Sequence, residues 1–196
     1  YSKNIAEEVD KFTDLILVGD SLGSVLYNYK STRQVTLEKM IEHSKSVRLG
    51  ISKSLMIVDM PYNTYRNKAE ALKNCKKVMK ETKCDGVKLE GGQRIKEIVK
   101  HLIKNKIPVL GHLGITPQTV RGKFKSKGKS ARERNRLLSD AELLEKSGAF
   151  AIVLECVKSD LSKEITRKIT IPTIGIGSSN NCDGQILVTD DILGLT

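Results

Sequence analysis

GVKLEGG, residues 86–92, alternates Val87 and Leu89 with Lys88 and Glu90. Successive side chains of a strand point to opposite faces, so one face of this run is apolar and the other carries an ammonium and a carboxylate. That polar face either meets solvent or lines a site, and the surrounding sequence decides which. Six further short apolar runs recur along the chain: LILVGD (15–20), SLMIVDM (54–60), IPVLGHLG (107–114), AFAIVLECV (149–157), IPTIGIGSS (171–179) and ILVTDD (186–191). Their near-continuous Val, Ile and Leu content is that of strands buried on both faces of a parallel sheet.

Between the runs lie helical patterns. Residues 94–106 place Ile95, Ile98, Val99, Leu102 and Ile103 on one face. Residues 36–49 follow Thr36, an N-cap candidate, and stop at Gly50; residues 139–147 open on Ser139 and Glu142 as a capping box and stop at Gly148. Alternating strands and helices make the chain α/β, as an open doubly wound sheet or a (β/α)8 barrel. Asp20, Asp59, Glu90, His112 and Glu155 each fall at or near the C-terminal end of their run. A barrel gathers all those ends around one mouth, whereas an open sheet concentrates ligands at one crevice. The pattern therefore favours a TIM barrel, read as a single catalytic domain over 1–196 that lacks its first strand.

Composition bounds the function. With 39% hydrophobic and 29% charged residues among 196, the chain has the makings of one globular domain. No apolar run is long enough to span a bilayer, and YSKNIAEEVDKF has no signal-peptide layout. Cys75, Cys84, Cys156 and Cys182 form no C-x-x-C pair, which reads as reduced thiols in a cytoplasmic protein without a membrane partner. Residues 121–136 (RGKFKSKGKSARERNR) hold +7 of the net +11, and Phe124 is their only aromatic. Charge confined to one segment without a stacking platform does not favour nucleic acid, and runs of like charge tend to stay solvated loops.

The strand-end residues carry the chemistry. Asp20, Asp59 and Glu90 form a hard, oxygen-rich set suited to Mg²⁺, the alternative for each Asp being the N-cap of the next helix. Lys88 needs an ion-pair partner or an anionic substrate if buried. His112 lies between glycines that permit a close backbone approach, and is either a satisfied core residue or part of the site. Glu155 ends an apolar run, where desolvation raises a carboxyl pKa and suits a general base; Cys156 should then face the opposite way, against a helix. The glycines of IGIGSSN resemble a phosphate-binding turn only weakly.

The blocks LVGDSLG, VDMP, VKLEGG, GHLGITPQ, LLSDA, LECV, IPTIGIGS and DGQILV occur in this order in ketopantoate hydroxymethyltransferases, and the resemblance spans the whole chain. It implies a Mg²⁺-dependent (β/α)8 barrel of the phosphoenolpyruvate/pyruvate type, usually a homodecamer, acting in pantothenate (coenzyme A precursor) biosynthesis. The same resemblance implies that the chain also lacks the barrel's C-terminal portion. Such an enzyme transfers a hydroxymethyl group from 5,10-methylenetetrahydrofolate to 3-methyl-2-oxobutanoate, giving 2-dehydropantoate. Carried onto matching positions, the resemblance implies a metal site of Asp20, Asp59 and Glu90, substrate contacts at Asp20, Ser21, Asp59 and Lys88, Glu155 as proton acceptor, and a supporting role for His112. The segment 121–136 departs from the family's less charged loop. It could draw in anionic folate polyglutamate tails through Lys123, Lys125, Lys127 and Lys129. The alternative is another Mg²⁺-dependent 2-oxo-acid lyase or mutase of the same barrel type, a class with a catalytic Cys in a mobile loop that is not evident in this sequence.

Overall fold

The computed structural model describes residues 1–119 and 125–195, in two compact units. The first comprises Tyr1–Lys88 with Lys104–Pro108. It contains α1 (Lys3–Val9), β1 (Leu15–Val18), α2 (Leu22–Tyr27), α3 (Leu37–Arg48), β2 (Leu55–Asp59), α4 (Lys68–Thr82) and the opening of β3 (Gly86–Glu90). The strands run parallel in chain order, with Leu15 opposite Leu55, Val58 opposite Val87 and Asp59 opposite Lys88. Met56, Ile57 and Val58 are fully buried, as their unbroken apolar run requires once helices cover the sheet. Thr36 caps α3 as expected, its Oγ1 accepting from Lys39 N at 3.2 Å. The turn before β2 is organised by a buried carboxylate: Asp10 accepts from the amides of Ser52 (2.9 Å), Lys53 (3.0 Å) and Ser54 (2.8 Å). These amides hold the Asp10 carboxyl well below the ordinary range.

The second unit comprises Leu89–Ile103 with Val109–Thr196. After the end of β3 it holds α5 (Lys96–Lys104), β4 (Val109–Gly114), α6 (Ala131–Lys146), β5 (Ala151–Glu155), α7 (Ser159–Lys168), β6 (Thr173–Ile176), β7 (Gly184–Gln185) and α8 (Thr189–Ile192). Here too the strands are parallel and in chain order, with His112 opposite Val153, Gly114 opposite Glu155 and Glu155 opposite Ile176. The helix expected over 94–106 appears as α5, burying Ile98, Val99 and Leu102.

Two expected elements shift. The strand expected at 186–191 is replaced by the two-residue β7 and by α8, whose first turn carries Asp190 and Asp191. Acidic residues stabilise a helix start, and Leu187 is 61% exposed, so this run has no two-sided burial to keep it extended. The helix expected at 139–147 begins at Ala131 instead. Its cap is Ser130, accepting from Glu133 N at 3.2 Å, so the operative S-x-x-E pattern lies inside the basic segment rather than at Ser139. The segment is therefore not one solvated loop. Arg134 pairs with Asp160 (2.6 Å) and Glu164 (3.0 Å) of α7, and Glu133 accepts from the amides of Gly128 (2.7 Å) and Lys129 (3.1 Å).

The four cysteines are free thiols, and burial pushes Cys75 up to about 12. Among the described residues no helix is long and apolar enough to cross a membrane.

Candidate functional site

In the first unit the ends of three strands collect charge. Asp20, Asp59 and Lys88 are all buried. Because Asp59 and Lys88 face each other across adjacent parallel strands, Lys88 Nζ lies 2.9 Å from Asp59 Oδ1. The contact is an ion pair without aligned hydrogen-bond geometry, since Oδ1 has no partner that meets the angular requirement. Asp59 Oδ2 accepts from the Asp20 amide at 3.0 Å, fixing the GDS turn after β1. Beside Asp20, Ser21 Oγ is 2.6 Å from the Tyr1 hydroxyl. Two carboxyl groups and one amine are thus gathered in a buried setting.

The second unit places carboxylates about an imidazole. His112 is 2% exposed; its Nε2 lies 3.1 Å from Glu155 Oε2 and its Nδ1 3.7 Å from Glu90 Oε1. Glu90 is buried and its Oε2 accepts from the Gln118 amide at 3.1 Å. Glu155 is the accessible member, with 23% of its side chain exposed, so the desolvation expected of it is partial. The two glycines near His112 are approached from different sides: a Cβ at Gly111 would press on Leu144 of α6, while Gly114 has φ 100° and a Cβ there would overlap the Glu155 carbonyl oxygen. Cys156 does not continue the strand. Its φ of 50° is left-handed, its amide still donates to Ile176 O at 2.9 Å, and it is partly exposed. Burial and the adjacent Glu155 charge push its thiol upward, away from thiolate chemistry.

The structure thus brings Asp20, Ser21, Asp59 and Lys88 together in one unit, and Glu90, His112 and Glu155 in the other. Among the described residues no group of three His, Cys, Asp or Glu side chains forms a ready metal centre. Gln118 and Tyr1 are participants that the residue-by-residue reading passed over. The GHLGITPQ block contains Gln118, but nothing in its spacing marks a backbone amide as the ligand of a carboxylate.

The family model for ketopantoate hydroxymethyltransferase matches residues 1–196. The chain belongs to this family. It is 63% identical over 195 residues to the 3-methyl-2-oxobutanoate hydroxymethyltransferase of Pelagibacter ubique (strain HTCC1062), covering all of this chain and 76% of that protein. The protein of the same name from Brucella canis (strain ATCC 23365 / NCTC 10854 / RM-666) is 48% identical over 198 residues, with all of this chain and 72% of that protein covered. Ketopantoate hydroxymethyltransferases are enzymes, one-carbon transferases by name. Among solved structures, the phosphoenolpyruvate phosphomutase of Streptomyces platensis subsp. rosaceus superposes with a TM-score of 0.70 at 9% identity, covering 98% of this chain and 75% of its own. A 2,3-dimethylmalate lyase of the PEP mutase/isocitrate lyase superfamily gives 0.62 at 14% identity, covering 89% and 63%. At such identities the likeness concerns fold alone, and the fold is the expected barrel type.

Proposed function

We propose that the protein transfers a hydroxymethyl group from 5,10-methylenetetrahydrofolate to 3-methyl-2-oxobutanoate, forming 2-dehydropantoate for pantothenate synthesis. The observation that carries this reading is the 63% identity, across the whole chain, to a protein of that name. The chemistry of both clusters supports it.

The donor set of the first unit fits Mg²⁺. This ion takes hard oxygens, keeps several waters and is commonly bound by one or two carboxylates plus substrate oxygens, which is what Asp20 and Asp59 offer. These two would hold it, with Glu90 the further carboxylate that the resemblance assigns. A bound Mg²⁺ supplies Lewis-acid polarisation of a 2-oxo acid, making its C3 proton more acidic. Lys88 contributes fixed positive charge for an anionic substrate, and its pairing with Asp59 keeps the ammonium in place. Ser21 is a hydrogen-bonding contact, oriented by the Tyr1 hydroxyl.

Glu155 is the group that takes the C3 proton. It is the exposed end of its cluster, and His112 Nε2 lies 3.1 Å from Oε2 as a contact without aligned hydrogen-bond geometry, on the buried side of the carboxylate. The supporting role of His112 is then to stand beside the base. The C3 carbanion forms the new C–C bond to the folate methylene carbon, both C–N bonds of that carbon break, one water supplies the hydroxyl oxygen, and tetrahydrofolate leaves with one proton of that water and the proton taken from C3. The test is a folate-dependent assay for 2-dehydropantoate with and without Mg²⁺. Absence of product, with cleavage of a 2-methylisocitrate-type substrate instead, would replace this reading by the lyase alternative.

A further inference from the structure

Helix α6 buries Leu137, Asp140, Ala141 and Leu144. Three of these four are apolar and make an ordinary core stripe; the carboxylate among them needs a reason. Its ion pair does not provide one: Arg136 Nε is 3.6 Å away on a side chain 79% exposed, where solvent screens the attraction. The strong contact lies elsewhere. Asp140 Oδ1 accepts from the amide of Gln93 at 2.7 Å, in the turn that leaves β3. Gly92 sits directly against the carboxylate, and a Cβ at that position would overlap Asp140 Cγ. On the other side of the same turn, Gly91 N donates to His112 O at 3.0 Å. The four residues from Glu90 to Gln93 are thus pinned twice, once by the strand bearing His112 and once by Asp140. Glu90 is the residue whose side chain that turn delivers to the Gln118 amide and to His112.

We propose that Asp140 is a positioning residue of the reaction: it holds the β3 turn so that Glu90 meets Gln118 and His112, and His112 in turn stands against Glu155, 3.1 Å from its Oε2. The proposal rests on the role of Glu155 given above. A carboxylate is suited to this task because it accepts a charge-assisted hydrogen bond from a buried amide and fills a space that only glycine leaves opposite. Misplacing a catalytic group by about 1 Å costs up to about 10²-fold in rate, so a turn held at two points matters more than its size suggests.

The intact protein tests this with three variants. Asp140→Asn keeps the Oδ1 acceptor, Asp140→Ala removes it, and Gly92→Ala pushes the turn away from an unchanged Asp140. Two readouts are followed well below each variant's Tm: exchange of the C3 hydrogen of 3-methyl-2-oxobutanoate with D₂O, and hydrogen exchange of the Gln118 backbone amide. Asp140→Ala and Gly92→Ala should each slow C3 exchange about 10- to 100-fold with KM nearly unchanged, and speed exchange of the Gln118 amide. Asp140→Asn should stay near wild type in both. If Asp140→Ala lowers Tm but leaves C3 exchange and the Gln118 amide untouched, Asp140 serves stability alone and the proposal is overturned. A wild-type protein without C3 exchange would remove the catalytic reading of Glu155, and the Gln118 amide then decides alone whether Asp140 positions Glu90.

Discussion

The two charged clusters use the same residue type for opposite purposes. In the first unit, Asp59 is enclosed: one oxygen lies beside Lys88 Nζ without a hydrogen bond, the other takes the Asp20 amide. In the second, Glu155 has one oxygen facing a buried imidazole and keeps part of its side chain exposed. A buried carboxylate with a second carboxyl group beside it belongs to an oxygen donor set for a cation; a carboxylate with one exposed side can reach a proton on a substrate. The difference lies in the partners supplied by the adjacent strand. Lys88 faces Asp59 and Ile176 faces Glu155, so only the first carboxylate has a charged neighbour built into its ladder.

The comparison breaks most sharply at Glu155. Glu155→Gln retains shape but accepts no proton, so exchange of the substrate C3 hydrogen with D₂O should fall by about 10²-fold or more while Mg²⁺ affinity stays unchanged. Exchange at near wild-type rate would move the base elsewhere and erase the distinction between the clusters. The complementary change is Asp20→Asn or Asp59→Asn. Each removes a hard anionic donor and should weaken Mg²⁺ binding about 10-fold or more by calorimetry. Unaltered affinity in both variants would sink the assignment of the first cluster to the metal.

Asp10 sharpens the contrast by supplying a carboxylate with no chemistry to perform. Its amide partners lower its pKa from 3.8, so its contribution to stability is present above the unfolded value and is lost as pH falls through the folded one. Asp10→Ala should lower Tm by several degrees at pH 7, and the gap to wild type should narrow below about pH 4. Catalysis at temperatures well under Tm should not change. A Tm gap of constant size down to pH 2 would mean that the lost packing, not the ionised carboxylate, stabilises this turn.

The strands and the strand-end residues were legible because a two-sided buried strand leaves few alternatives to a continuous apolar run ending in a polar residue. GVKLEGG is the instructive case: its alternation left the polar face open to solvent or to a site, and the structure buries Lys88 and Glu90 along with the rest of β3. What escaped were features set by long-range partners. Ser130 and Ser139 each stand three residues before a Glu, and only the docking of Arg134 onto Asp160 and Glu164 selects the earlier start for α6. Asp140 reads as an ordinary surface residue of a charged helix until the Gln93 amide is seen against it. Cys156 was placed on a strand face because periodicity carries no information about where the backbone turns left-handed.

The smallest expected effect concerns the basic segment, where structure redistributes the charge counted in sequence. Lys127 lies 3.8 Å from Glu133, and Arg134 and Arg136 face carboxylates of Asp160, Glu164 and Asp140. Lys125, Lys129 and Arg132 are exposed and have no ion pair among the described residues, while Lys123 lies outside them. The unpaired cations, not the whole +7, are what an anionic folate polyglutamate tail would meet. Exposed charges separated by solvent attract weakly and are screened over about 10 Å at 0.1 M salt. Polyglutamylated methylenetetrahydrofolate should therefore show a KM only about 3-fold below that of the monoglutamate at low salt, with the preference fading as salt rises. Replacing Lys125, Lys129 and Arg132 together by Gln should remove it, whereas Lys127→Gln, which touches a charge already paired, should change it little. Equal KM for the two folates in low-salt buffer would leave these three side chains as solvated surface.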